Sequence, residues 1–131
     1  MDRTHVLERL LAQHASLRTL MEACEQLESA PDLERAIARL RLAFEEHNRY
    51  EDAVLGPILR DVDAFDDVRI ERMLGDHAAE HRALANRMAM LSPGALQGLL
   101  ATLREHLASE ERYFLSPRVV RDSLVVVEGG A

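Results

Sequence analysis

The chain contains no tryptophan, and aromatic residues make up only 4% of it. Leu, Ala, Arg and Glu dominate instead, and these are helix-forming residues. There is one cysteine, Cys24, so no internal disulfide can form and a reducing compartment fits. No run approaches the roughly 20 consecutive apolar residues of a membrane-spanning helix. The opening MDRTHVLERLL is charged and amphipathic, without an apolar leader segment, and the expected location is the cytoplasm. An excess of positive charge is also missing. The formal net charge is -7 and the pI is about 5.3. Nucleic acid and anionic membrane both demand a basic face, so neither is an expected partner.

What is present suffices for one folded domain. The chain has 131 residues, a single-domain length, and 47% of them are hydrophobic, which argues against disorder. Apolar residues recur at intervals of three and four, the signature of one buried helical stripe. The first segment, about Thr4 to Glu28, carries Leu7, Leu10, His14, Leu17, Met21 and Cys24. Ser29-Ala30-Pro31-Asp32 breaks it, and Pro31 is acceptable in the first turn of the next helix. The second segment, about Asp32 to Leu55, carries Leu33, Ile37, Leu40, Phe44, His47, Glu51 and Val54. Gly56-Pro57 is expected to end it, with Ile58 to Asp66 as a connection.

The third segment starts near Asp66 or Asp67 and carries Ile70, Leu74, His77, His81, Leu84, Met88 and Leu91. Ser92-Pro93-Gly94 is a turn. The fourth carries Leu96, Leu99, Leu103, His106, Glu110 and Tyr113, and Pro117 stops or kinks it. The pattern predicts an all-α, antiparallel up-down-up-down four-helix bundle over residues 1–117. Residues 118–131 form a Val-rich tail of unknown role. A dimer of two hairpins would use the same stripes, so the oligomeric state stays open, with a monomer preferred.

The stripes are apolar except near mid-helix. There they hold His14; His47 and Glu51; His77 and His81; His106 and Glu110. An antiparallel bundle brings all seven into one layer. Residues four apart share a helical face, so each pair converges on one point. His5 is nine residues before His14, half a turn out of phase, and is expected to face solvent. A histidine taken singly on an apolar face is more often a hydrogen-bonded core residue. Seven ionisable groups in one buried layer are costly without a partner, and metal ions satisfy them together. No thiolate is involved, and seven N/O ligands exceed the needs of one tetrahedral zinc. Two adjacent ions bridged by carboxylates use them all. Mixed imidazole and carboxylate ligation suits iron, with manganese or zinc as lesser options. The Glu-x-x-His motif of ferritin-like bundles is absent, because Phe44, Leu74, Ala78 and Leu103 stand three before the four histidines concerned.

The ordered set LLAQHASLR, HNRYE, HAAEH and HLASE resembles the hemerythrin-like, or HHE cation-binding, domains over about Thr4 to Pro117. The resemblance implies a non-haem di-iron site, oxo- or hydroxo-bridged, inside the bundle. It implies that His77, His81 and His106 hold one iron and His14 and His47 the other. Glu51 and Glu110 would bridge them. The two-histidine iron would keep an open position for O2 or a related diatomic or peroxide ligand. Two functional classes follow. One is O2 binding for storage, delivery or sensing; the other is an enzyme acting on peroxide or on O2 or NO. Glu111 also follows His106, at a spacing of five, but the stripe favours Glu110 as the bridge. Glu111 and Asp52 read as solvated charges. Tyr50 and Tyr113 read as packing residues rather than site residues, and Cys24 as a small buried hydrophobe. Phe44 and Leu103 are expected to wall the site.

Overall fold

A computed structural model describes residues 3–27, 29–60, 67–90 and 93–113. Among them are four α-helices: α1 (Arg3–Gln26), α2 (Ala30–Arg60), α3 (Asp67–Ala89) and α4 (Leu96–Tyr113). A short 3-10 turn, Pro93–Ala95, leads into α4. No helix among the described residues is long and apolar enough to cross a membrane. Ser29 caps α2. Its Oγ accepts from the Asp32 N–H at 3.4 Å and its carbonyl from the Leu33 N–H at 2.9 Å.

Packing fixes the directions of the helices. At one end, Val6 and Leu10 of α1 meet Ile58 near the close of α2, while Leu55 and Leu59 meet Ile70 at the start of α3. At the other end a larger cluster joins Met21 and Cys24 to Leu40, and Leu84 and Met88 to Leu99 and Leu100. Beginnings pack on ends throughout, so each helix runs antiparallel to the next. α4 closes the ring against both α3 and α1. The polar layer lies between the two apolar ends.

The second helix is longer than its sequence pattern suggests. It runs through Gly56 and Pro57 to Arg60. Pro57 removes one backbone bond, to the Ala53 carbonyl. Burial of Ile58 and Leu59 against α1 and α3 holds the last turn in place, so these two are core rather than connection. The buried bands are also wider than one row of residues. Val6 is buried and Leu7 only half so, and Leu55, Leu100 and Leu107 join the core beside the expected stripe. A bundle helix touches two neighbours, and a band wide enough for both exceeds one 3-4 row. Met21 and Met88 are core, Met73 is half-buried and Met90 is exposed. Leu91, the Tyr113 side chain, Pro117 and the tail from 118 lie outside the described residues.

Candidate metal centre

All seven expected residues reach the same place. His14, His47, Glu51, His77, His81, His106 and Glu110 are each at most 5% exposed. They form two groups of potential ligand atoms lying within 4.8 Å of one another. One is His77, His81, His106 and Glu110; the other is His14, His47, Glu51 and Glu110. Glu110 belongs to both. His5 is exposed and takes no part. His5→Ala should therefore leave metal content unchanged by elemental analysis.

The two carboxylates each face both groups. Glu51 Oε1 is 2.9 Å from His77 Nε2 and 3.5 Å from His81 Nε2, while its Oε2 is 3.1 Å from His47 Nε2. Glu110 Oε2 lies 3.8 Å from His14 Nε2 and 3.5 Å from His77 Nε2. Its Oε1 lies 3.6 Å from His81 Nε2 and against His106 Nε2. Despite these approaches, all four carboxylate oxygens and the Nε2 atoms of His81 and His106 have no hydrogen-bond partner. Buried polar atoms in folded proteins are otherwise almost always paired. Six orphaned N/O atoms aimed at one point fit a metal site.

Outer partners set the orientation of the imidazoles. His14 Nδ1–H donates to Glu111 Oε2 at 2.9 Å, His47 Nδ1–H to Gln13 Oε1 at 2.6 Å, and His106 Nδ1–H to Glu80 Oε1 at 2.7 Å. Those oxygens only accept, so the proton of each neutral ring sits on Nδ1 and the Nε2 lone pair points inward. His14 Nε2 and His47 Nε2 then face each other at 3.2 Å. Two lone pairs at that distance need a cation between them, whether a proton or a metal ion.

The surrounding charges favour such a cation. Burial pushes His14 down, but Glu110, Glu51 and Glu111 outweigh it and raise the ring from 6.5 to about 9. Burial likewise opposes His77, and Glu110 and Glu51 lift it to about 10. His106 is raised by Glu110 and Glu80 against its burial. Burial pushes Glu110 and Glu51 up, yet the facing histidines hold both below the usual carboxylate range. The layer is thus a negative pocket that binds protons tightly, and a divalent cation competes for the same lone pairs.

Glu111 and Asp52 are not simply solvated charges. Arg18 holds Glu111 through two bonds of 2.7 and 2.8 Å, and Glu111 in turn holds His14. Asp52 is largely exposed, but its Oδ1 stands 3.7 Å from His81 Nδ1 and 3.9 Å from His77 Nδ1. A rule emerges that the stripes alone did not reveal. Gln13, Asp52, Glu80 and Glu111 each stand next to a site residue in sequence, yet each faces a histidine of the neighbouring helix. α1 supports α2, α2 supports α3, α3 supports α4 and α4 supports α1. Adjacent residues differ by ~100° around a helix, so the neighbour of an inward residue faces the next helix. The available signal was a polar residue directly flanking each site residue.

The remaining assignments hold as packing. Tyr50 joins the Val6–Leu10–Ile58 cluster and carries the Arg9 guanidinium 3.9 Å above its ring. Cys24 is a free thiol in the core, its pKa raised by burial. Leu103 is fully buried. Phe44 is fully buried too, with its ring edge-on to His81 at 5.7 Å and to His106 at 6.2 Å. Phe44→Ala should cost about 3–5 kcal/mol in a denaturant titration. On the side of α2 and α3, a surface cleft lined by Asn48, Asp52, Ala78, His81 and Arg82 reaches the outer edge of His81. Asn48 is 8% exposed, and its Oδ1 has no partner.

No curated protein and no solved structure matches the chain significantly. A family model, the hemerythrin HHE cation binding domain, matches residues 5–116 and so spans every residue of the polar layer. With its four-helix bundle and its paired histidine–carboxylate groups, the chain belongs to the hemerythrin HHE cation-binding domain family.

Proposed function

We propose that the chain is a non-haem di-iron protein that binds O2 or a related small ligand. The observation that carries this reading is the pair of unpartnered buried carboxylates, each turned toward both histidine groups. One ion alone leaves part of that donor set unused; two ions use it all. His77, His81 and His106 would hold one iron and His14 and His47 the other, with Glu51 and Glu110 serving both. Paired irons, when bound, would supply two-electron chemistry toward a small oxidising ligand.

The rest of the chemistry belongs to the chain. The two-histidine half has one protein ligand fewer, which leaves room for the small molecule there. Glu111, Gln13 and Glu80 keep three Nε2 lone pairs turned inward. Phe44 lines the apolar side of the layer, against His81 and His106, and Leu103 is buried in the same apolar cluster as Phe44.

The test is an optical spectrum of the iron-loaded, reduced protein under argon, then in air, then under argon again. The expected result is a visible charge-transfer band that appears with air and fades on return to argon. A band that forms once and stays would point to turnover of O2 or peroxide instead of reversible binding. A protein that takes up no iron contradicts the reading.

A further inference from the structure

The outer partners of the histidines are not alike. His47 has the neutral amide of Gln13, whereas His14 has a carboxylate, Glu111. Glu111 is itself fixed. Arg18 Nη1 and Nη2 take its two oxygens, and Oε2 serves both Arg18 and His14. Such a two-pronged pair fixes the plane of the carboxylate as well as its distance. Arg18 lies one turn beyond His14 on α1, and Glu111 directly follows the bridging candidate Glu110 on α4. A loose carboxylate at that point would be a rival ligand.

We infer that Glu111, clamped by Arg18, is the positioning residue of the two-histidine half of the centre. It holds the His14 ring with Nε2 inward and strengthens that nitrogen as a donor, while Arg18 keeps the same carboxylate out of the ligand set. This inference rests on the paired-metal reading above. A carboxylate that accepts an imidazole N–H makes the opposite nitrogen more basic. The half served by Glu111 and Gln13 therefore depends on one charged outer contact, and that contact sits at the protein surface, with the Arg18 side chain 37% exposed.

The experiment is an oxygen-free titration of the metal-free full chain with cobalt(II), followed by calorimetry and by the cobalt absorption bands. Wild type should take two equivalents. Glu111→Ala should leave the first unchanged and weaken the second by about 10- to 100-fold, the usual cost of losing such an outer partner. Glu111→Gln, which keeps an acceptor for the His14 N–H, should recover part of the loss. Thermal unfolding of the metal-free variants verifies that they fold. The inference is overturned if the second equivalent binds Glu111→Ala as it binds wild type. It is equally overturned if both equivalents weaken together without recovery in Glu111→Gln, which would mark a general loss of structure. A wild type that binds fewer than two ions overturns the paired-metal reading itself, and this inference with it.

Discussion

Glu110→Ala should lose both metal ions at once. Glu110 is the residue shared by the two ligand groups, with Oε1 toward His81 and His106 and Oε2 toward His14 and His77. By contrast, His77→Ala should lose one ion, because His14, His47, Glu51 and Glu110 remain together. Glu110→Ala should also weaken the metal-free protein. Glu110 is the first of the carboxylates that outweigh burial at His14, His77 and His106. Removing one member of a buried charge cluster typically costs about 3–5 kcal/mol, because the other is left without compensation. Elemental analysis gives the metal count and a denaturation curve gives the stability. A Glu110→Ala protein that keeps one ion with wild-type affinity would show that the two groups do not share Glu110.

Metal-free protein should lose stability as pH rises above neutral, and metal-loaded protein should not. Consider the metal-free protein first. His14 and His77 have folded-state values of about 9 and about 10, above the ordinary 6.5. Their contribution is fully present below pH 6.5 and is lost as pH rises through 9 to 10. Glu51 and Glu110 are lowered from 4.5, so their contribution is present above pH 4.5 and is lost as pH falls. The metal-free bundle should therefore be most stable between pH 4.5 and 6.5. A metal ion displaces the imidazole protons, so its binding strengthens as pH rises over the range where the metal-free protein weakens. The gap in melting temperature between loaded and chelated protein should widen steadily from pH 6.5 to about 9. Over that span the two histidines contribute on the order of several kcal/mol. Calorimetry with and without chelator measures it, and a gap that narrows would show that the histidines are not competing with metal for the same lone pairs.

Much of this site was legible because its signal is periodic. Seven ionisable residues fell on the same 3-4 rows as the apolar core, and the out-of-phase His5 is exposed as its phase requires. Burial needed only the count along one helix. The outer partners were not legible in that way. Asp52 and Glu111 look like ordinary surface charge until the neighbouring helix is in place, since which helix packs beside them is a property of the whole bundle. The end of α2 departs from its local signal for a related reason. Gly56-Pro57 is a local stop signal, but Ile58 and Leu59 have apolar partners on α1 and α3 that a single segment does not reveal. Tertiary burial outweighed the local preference.

The most direct test of the account is the number of metal ions per chain after oxygen-free reconstitution with iron(II) and removal of loosely held metal. The account predicts two irons per chain in the wild type and none in Glu110→Ala. A single ion, or a single zinc taken in preference to iron, would contradict a paired centre, and no ion at all would leave the buried layer as a histidine–carboxylate network satisfied by protons alone.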